Sequence, residues 1–266
     1  MKKSFISVCA ALICTFLAGC GTANAPDYGT NSDSSAPSQT TTDTTTDTDT
    51  GTDTGTDTPA KLETPYTEAD LAPLAFTDTQ KGLTVDVSAN TYLKSLLLGA
   101  EYLAYTPQTA PQTAKYIISM QSMDLQVYAN GAVGFVTENQ TLYATVDNGD
   151  FSYFDGLIAG EVTHIDGYTT SQKISLYDAD NGSGKIEDRQ AFLQTLQTID
   201  LVKLGNKDHY QIGKRTYLIT IGNDYFRIYQ NFVVFGNELY AIYEGDFEFL
   251  TEISYTPVED GWLPEL

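Results

Sequence analysis

From about residue 83 onward, apolar and polar positions alternate in short runs of the kind that half-buried strands require. Leu83-Thr84-Val85-Asp86-Val87 is one such run, and Lys173-Ile174-Ser175-Leu176-Tyr177 is another. After each, the period lengthens. Tyr92, Leu93, Leu96, Leu97, Ala100 and Leu103 recur at helical spacing, as do Phe192, Leu193, Leu196 and Ile199, with Asp188 placed to cap the second helix. Three or four short strands then follow in each stretch, broken at Asn130-Gly131 and Gly236-Asn237, dipeptides suited to tight turns. Tyr116, Ile118 and Met120 share one strand face, and so do Tyr217, Ile219 and Ile221. One amphipathic helix laid on that face buries it.

The two stretches match each other in order. Lys115-Tyr116-Ile117-Ile118-Ser119-Met120 aligns with Thr216-Tyr217-Leu218-Ile219-Thr220-Ile221, and Leu125 to Asn130 aligns with Phe226 to Asn231 at the same offset. Leu142-Tyr143-Ala144 then matches Leu239-Tyr240-Ala241, and Gly149-Asp150-Phe151 matches Gly245-Asp246-Phe247. Collinear matches with a slowly drifting offset are the mark of an internal repeat. The expectation is an α+β fold of two tandem repeats, each a β-α-β-β-β unit with one helix on an antiparallel sheet, over residues 66–165 and 166–266. Asp150 to Leu157 and Asp246 to Ile253 read as short terminal helices.

The face opposite each helix carries Tyr128 and Tyr143 in one repeat, and Tyr229 and Tyr240 in the other. Tyrosine offers a rigid apolar body with a polar tip, so these four are candidate ligand-binding residues. Two other readings stand beside that one. Tyrosine pairs well across strands, and the two repeats can pack on each other through these faces.

The N-terminal stretch has a different pattern. Lys2-Lys3 is followed by an apolar run from Phe5 to Leu17, too short for a comfortable membrane span, and then by Leu17-Ala18-Gly19-Cys20. That tetrapeptide resembles the lipobox of bacterial lipoproteins. The resemblance implies a signal peptide over residues 1–19 and a diacylated Cys20 that becomes the new N-terminus. Residues 20–65 form a Thr/Asp-rich stretch with almost no apolar side chain, expected to be a disordered tether. Its 40 or so spacer residues reach roughly 130–140 Å at full stretch. The chain as a whole resembles envelope lipoproteins of Gram-positive bacteria, which implies the outer side of the cell membrane. The formal charge of −21 becomes −23 once Lys2 and Lys3 leave. Such a chain repels phosphate backbones, which argues against nucleic acid as a partner. Cysteine occurs only at 9, 14 and 20, so the folded region has neither a disulfide nor a thiolate metal site.

Candidate chemistry is sparse. Asp178-Ala179-Asp180-Asn181-Gly182-Ser183-Gly184-Lys185-Ile186 is similar to the start of a calcium loop, but no register puts both the glycine and the closing carboxylate in place. Asp178, Asp180 and Glu187 are the candidate ligands of a calcium site. The competing reading is a polar turn leading from strand to helix. The histidines, His164 and His209, read as a joint residue and a loop residue, and Trp262 as the seal at the end of a core. No nucleophile elbow, zinc helix or phosphate loop is present. No cofactor is expected apart from calcium at that loop. The functional expectation is a surface-anchored binding protein with a cell-wall glycan or protein partner. The alternatives are an envelope hydrolase using acidic residues and an inhibitor of an exported enzyme.

Overall fold

Alternating side chains do produce strands. In this computed structural model, which describes residues 59–107, 113–147 and 151–258, the chain is α+β and mostly antiparallel sheet. The elements run β1 (Lys61–Leu62), β2 (Ala75–Asp78), β3 (Leu83–Asp86), α1 (Thr91–Gly99), β4 (Tyr102–Ala104), β5 (Ala114–Ser119), β6 (Asp124–Tyr128), β7 (Ala132–Val136) and β8 (Thr141–Val146). A 3-10 turn at Phe151–Gly156 leads to β9 (Ile158–His164), β10 (Ile174–Asp178), β11 (Gly182–Lys185), α2 (Arg189–Leu196) and β12 (Asp200–Leu204). The chain continues through β13 (Tyr217–Ile221), β14 (Asp224–Ile228), β15 (Phe232–Phe235) and β16 (Glu238–Glu244), then a 3-10 turn at Glu248–Glu252, then β17 (Ser254–Thr256).

The first sheet has the order β3-β2-β5-β6-β7-β8-β4-β1, and the second runs β17-β11-β10-β13-β14-β15-β16-β12-β9. Apart from β17 at one edge, the two orders correspond strand for strand. They differ from the expected β-α-β-β-β unit in having a hairpin, not one strand, before the helix, and five strands, not three, after it in the shared order. Leu83–Asp86 therefore corresponds to β11, not to the Lys173–Tyr177 run with which it first aligns. The strand β9 follows the first sheet in the chain but pairs with β12 in the second.

Local chemistry sets these boundaries. Asn90 caps α1 by accepting from the Leu93 amide at 2.8 Å, and Asp188 caps α2 by accepting from Gln190 and Ala191 at 3.0 Å. The Asn130-Gly131 turn forms as expected: Gly131 takes a φ of 82°, and Asn130 accepts from the Ala132 amide. One core holds α1 (Leu93, Leu97) and the inner face of the first sheet (Phe76, Ile118), and it also takes in Phe232 and Leu239 from the second sheet. The other face of the second sheet packs Ile219 and Phe226 under Phe192 and Leu196 of α2. The second sheet is thus covered on both faces, with α2 on one side and the first sheet's core on the other.

Within the shared core, Tyr66 donates to the Leu97 carbonyl at 2.8 Å, and its hydroxyl lies 2.6 Å from that of Tyr102. Burial pushes the Tyr102 phenol up to about 12, and burial plus the neighbouring phenol raises Tyr66 as well. Both folded values lie above the ordinary 10, so this stabilisation is fully present below pH 10, and the share that Tyr102 contributes is lost as pH rises through about 12. Denaturant unfolding followed above pH 10 is expected to show that decline, and Tyr102→Phe is expected to make it shallower, with Tyr66 supplying what remains. A variant with the same alkaline slope as the parent would place the titration elsewhere.

Candidate functional site

The β10–β11 turn is where the second sheet gathers polar groups. Asp178 ends β10 and is 5 % exposed; its Oδ1 accepts from the amides of Asp180 (2.7 Å) and Asn181 (2.8 Å). This side-chain-to-backbone turn lets the chain reverse into Gly182, whose φ is 97°. Asp78 does the same at the β2–β3 turn, accepting from Gln80 (3.0 Å) and Lys81 (3.1 Å) ahead of Gly82 at φ 67°. The segment from Asp178 is thus a hairpin turn with a counterpart in the first sheet, not a passage from strand to helix.

The three candidate calcium ligands are not brought together. Asp178 holds the turn, Asp180 pairs with Lys214 at 2.6 Å, and Glu187 pairs with Lys185 at 2.8 Å. Among the described residues, no group of three or more His, Cys, Asp or Glu side chains is placed to hold a metal ion. His164 pairs with Asp200 at 2.8 Å across β9 and β12. His209 stacks on Tyr92, with ring centroids 4.4 Å apart. Cys20, the tether core and Trp262 lie outside the described residues, and among the described residues no helix is long and apolar enough to cross a membrane.

The four candidate tyrosines separate. Tyr128 is buried over Gly134 with Tyr143 beside it, ring centroids 6.2 Å apart, in a small cluster with Ala114 and Ala132. Tyr229 packs against the core shared by both sheets, and Tyr240 packs on the α2 side. The register explains the split. Tyr143 lies opposite Gly134, but the shorter β15–β16 turn puts Leu239 opposite Val234 and Tyr240 opposite Val233. A one-residue slip moves a side chain to the other face. Tyr143 therefore corresponds to Leu239, so its alignment with Tyr240 is one residue out, whereas the match of Phe151 with Phe247 has the spacing that the strand pairing imposes; Gly149 and Asp150 lie outside the described residues.

What the structure does assemble is a groove, once in each sheet. In the first, Lys115, Tyr116, Val127, Tyr128, Phe151 and Asp155 enclose about 320 Å³. In the second, the corresponding Thr216, Tyr217, Ile228, Tyr229, Phe247 and Thr251 help to enclose about 560 Å³. The difference is chemical. The first groove is plugged: Lys115 Nζ lies 2.6 Å and the Tyr116 hydroxyl 2.5 Å from Asp155 Oδ1. The Lys115 ammonium, then the Tyr116 hydroxyl, hold the Asp155 carboxyl below its usual range, and Asp155 in turn raises Lys115. Thr216 and Thr251 replace both plug residues in the second groove.

On the far side of Tyr217 and Thr251 the second groove meets another space of about 660 Å³, lined by Tyr177, Asp178, Asp180, Tyr255 and Val258. Burial, then the Asp178 charge, raise the Tyr217 phenol. Burial, Tyr217 and Asp178 raise Tyr255, so both hydroxyls stay protonated at neutral pH. In the sequence Tyr217 reads as part of the buried strand face with Ile219 and Ile221, and Tyr255 and Thr251 do not stand out. The signal was there in Asp78-x-x-x-Gly82 and Asp178-x-x-x-Gly182, a repeated turn whose third and fourth residues change from Gln80-Lys81 to Asp180-Asn181.

An α+β chain with two antiparallel sheets, one of them carrying an open tyrosine-lined groove, is the class that fold and site define. No family model, curated protein or solved structure matches the chain, so geometry and chemistry carry the functional reading.

Proposed function

We propose that this chain is a lipid-anchored binding protein displayed on the outer side of the cell membrane, built from two tandem copies of one unit, with its ligand site in the groove around Tyr217. The anchor is Cys20, the tether lifts the folded region from the bilayer, and the partner belongs to the cell wall. The observation that carries the reading is the contrast between the corresponding grooves. The first, of about 320 Å³, is bridged by its own Lys115–Asp155 pair, and the second, of about 560 Å³, has threonines at both positions. Aromatic and hydrogen-bonding side chains around an open concavity are what a binding site requires.

Restoring the plug tests this. In Thr216→Lys/Thr251→Asp, the new pair is expected to close over Tyr217 as Lys115 and Asp155 close over Tyr116. Retention on isolated cell-wall material is then expected to fall about tenfold or more, with the unfolding midpoint unchanged. Equal retention by parent and plugged variant removes the groove from the function.

A further inference from the structure

The two hairpin turns differ in one charge. In the first, Lys81 Nζ lies 3.7 Å from Asp78 Oδ2 and also donates to the Ile158 carbonyl. In the second, Asn181 stands where Lys81 stands. Asp178 Oδ1 keeps its two amide bonds, and its Oδ2 has no hydrogen-bond or ion-pair partner among the described residues. Asp178 is only 5 % exposed, and a cation is the partner that its second oxygen can still take. It lines the 660 Å³ space that adjoins the second groove at Tyr217 and Thr251.

A second ammonium is missing in the same way. Lys115 Nζ sits 4.9 Å from the centre of the Tyr116 ring. The corresponding tyrosine, Tyr217, is preceded by Thr216. The second sheet therefore keeps the buried carboxylate and the ring, and lacks both lysines that serve their counterparts. Lys214 is the nearby cation, and it is engaged by Asp180 on the outside of the turn.

We infer that the groove takes a primary ammonium on an alkyl chain, seated against Asp178 Oδ2 and enclosed by Tyr177, Tyr217 and Tyr255. The inference rests on the binding reading above and names its ligand chemistry. Ring faces attract a cation and cover the methylenes behind it. A guanidinium is a poorer fit. Its fork favours two free carboxylate oxygens, and Asp178 Oδ1 is already occupied by backbone amides. Calcium takes roughly six to eight oxygens, and Asp180 and Glu187 are held by lysines. The same ammonium is presented by a lysine side chain within a peptide and by a free diamine.

Ligand-observed NMR with the full-length protein in detergent micelles separates these outcomes. The probes are Nα-acetyl-lysine methylamide, its Nε-acetylated form and cadaverine. The lysine probe is expected to bind, and the Nε-acetylated probe about tenfold or more weakly, because a charge-assisted bond is lost. Asp178→Asn keeps the turn's acceptor and removes the charge. Asn181→Lys keeps the carboxylate and supplies an internal ammonium, as Lys81 does for Asp78. Both variants are expected to weaken the lysine probe by a similar factor. Binding of cadaverine alone assigns the site to free diamines, and binding of the lysine probe alone to peptides. Equal binding of both acetylation states, unchanged binding in both variants, or displacement of the probe by calcium chloride at equimolar concentration overturns the inference. If plugged and parent proteins still differ on cell-wall material while no amine binds, the groove stands and only its ammonium ligand falls.

Discussion

Phe232→Ala is expected to lower the stability of the whole folded region by about 3–5 kcal/mol, the usual cost of emptying a buried phenylalanine site. Phe232 is 4 % exposed in β15 and packs edge-on against Tyr210, with ring centroids 5.8 Å apart. Although it belongs to the second sheet, it lies in the core that contains Leu93, Leu97 and Phe76. The cavity therefore weakens both halves at once. Against the 5–15 kcal/mol typical of folded domains, the loss is large, and for a chain of this size it corresponds to a fall in midpoint of roughly 6–20 °C. Scanning calorimetry is expected to show one transition in parent and variant alike, shifted as a unit. Two transitions, with only the later half of the chain affected, would mean that the shared core does not couple the sheets. Other contacts point the same way: Asn90 bridges to Tyr210, the Gln211 amide donates to the Ala89 carbonyl at 2.8 Å, and Asn231 reaches Asp86 at 3.3 Å.

The fold class was legible because period-2 and period-3.6 patterns are imposed by burial itself. The face with Tyr116, Ile118 and Met120, the cap at Asp188 and the turn at Asn130-Gly131 all followed from that. The site was less legible for two physical reasons. Pairing register is set between strands, not along them, and the shorter β15–β16 turn leaves Tyr240 one register position away from the place that its alignment with Tyr143 assigns, on the α2 side and away from Tyr229. The acids at Asp178 and Asp180 also read as metal ligands, because composition shows oxygen atoms but not which backbone amides and lysines already hold them. What distinguishes the second groove is the loss of Lys81 and Lys115 relative to its counterpart. That difference becomes visible only once the two hairpin turns are known to correspond.

Gly182→Ala and Gly82→Ala form a matched pair that measures how tightly β17 is locked beside the groove. Both glycines close an Asp-anchored turn at positive φ, 97° and 67°. At Gly82 an added Cβ meets nothing within 4 Å, so the substitution costs only the backbone preference, about 1–2 kcal/mol. At Gly182 the same carbon falls 2.3 Å from the Thr256 carbonyl oxygen and 3.0 Å from the Val258 amide nitrogen. Those are backbone atoms, so no rotamer change relieves the clash. An overpacking cost of about 1–3 kcal/mol adds to the backbone cost. The chain's cheapest escape is to release β17, whose pairing with β11 spans only Ser183 to Lys185. Releasing it carries away Tyr255, Pro257 and Val258, which line the groove. Gly182→Ala is therefore expected to be the more destabilising of the two in denaturant titration, to speed hydrogen exchange at β17, and to abolish ligand retention. Gly82→Ala is expected to retain ligand. Equal costs for the two, with exchange at β17 unchanged, would show that the last strand is not held against the Gly182 turn.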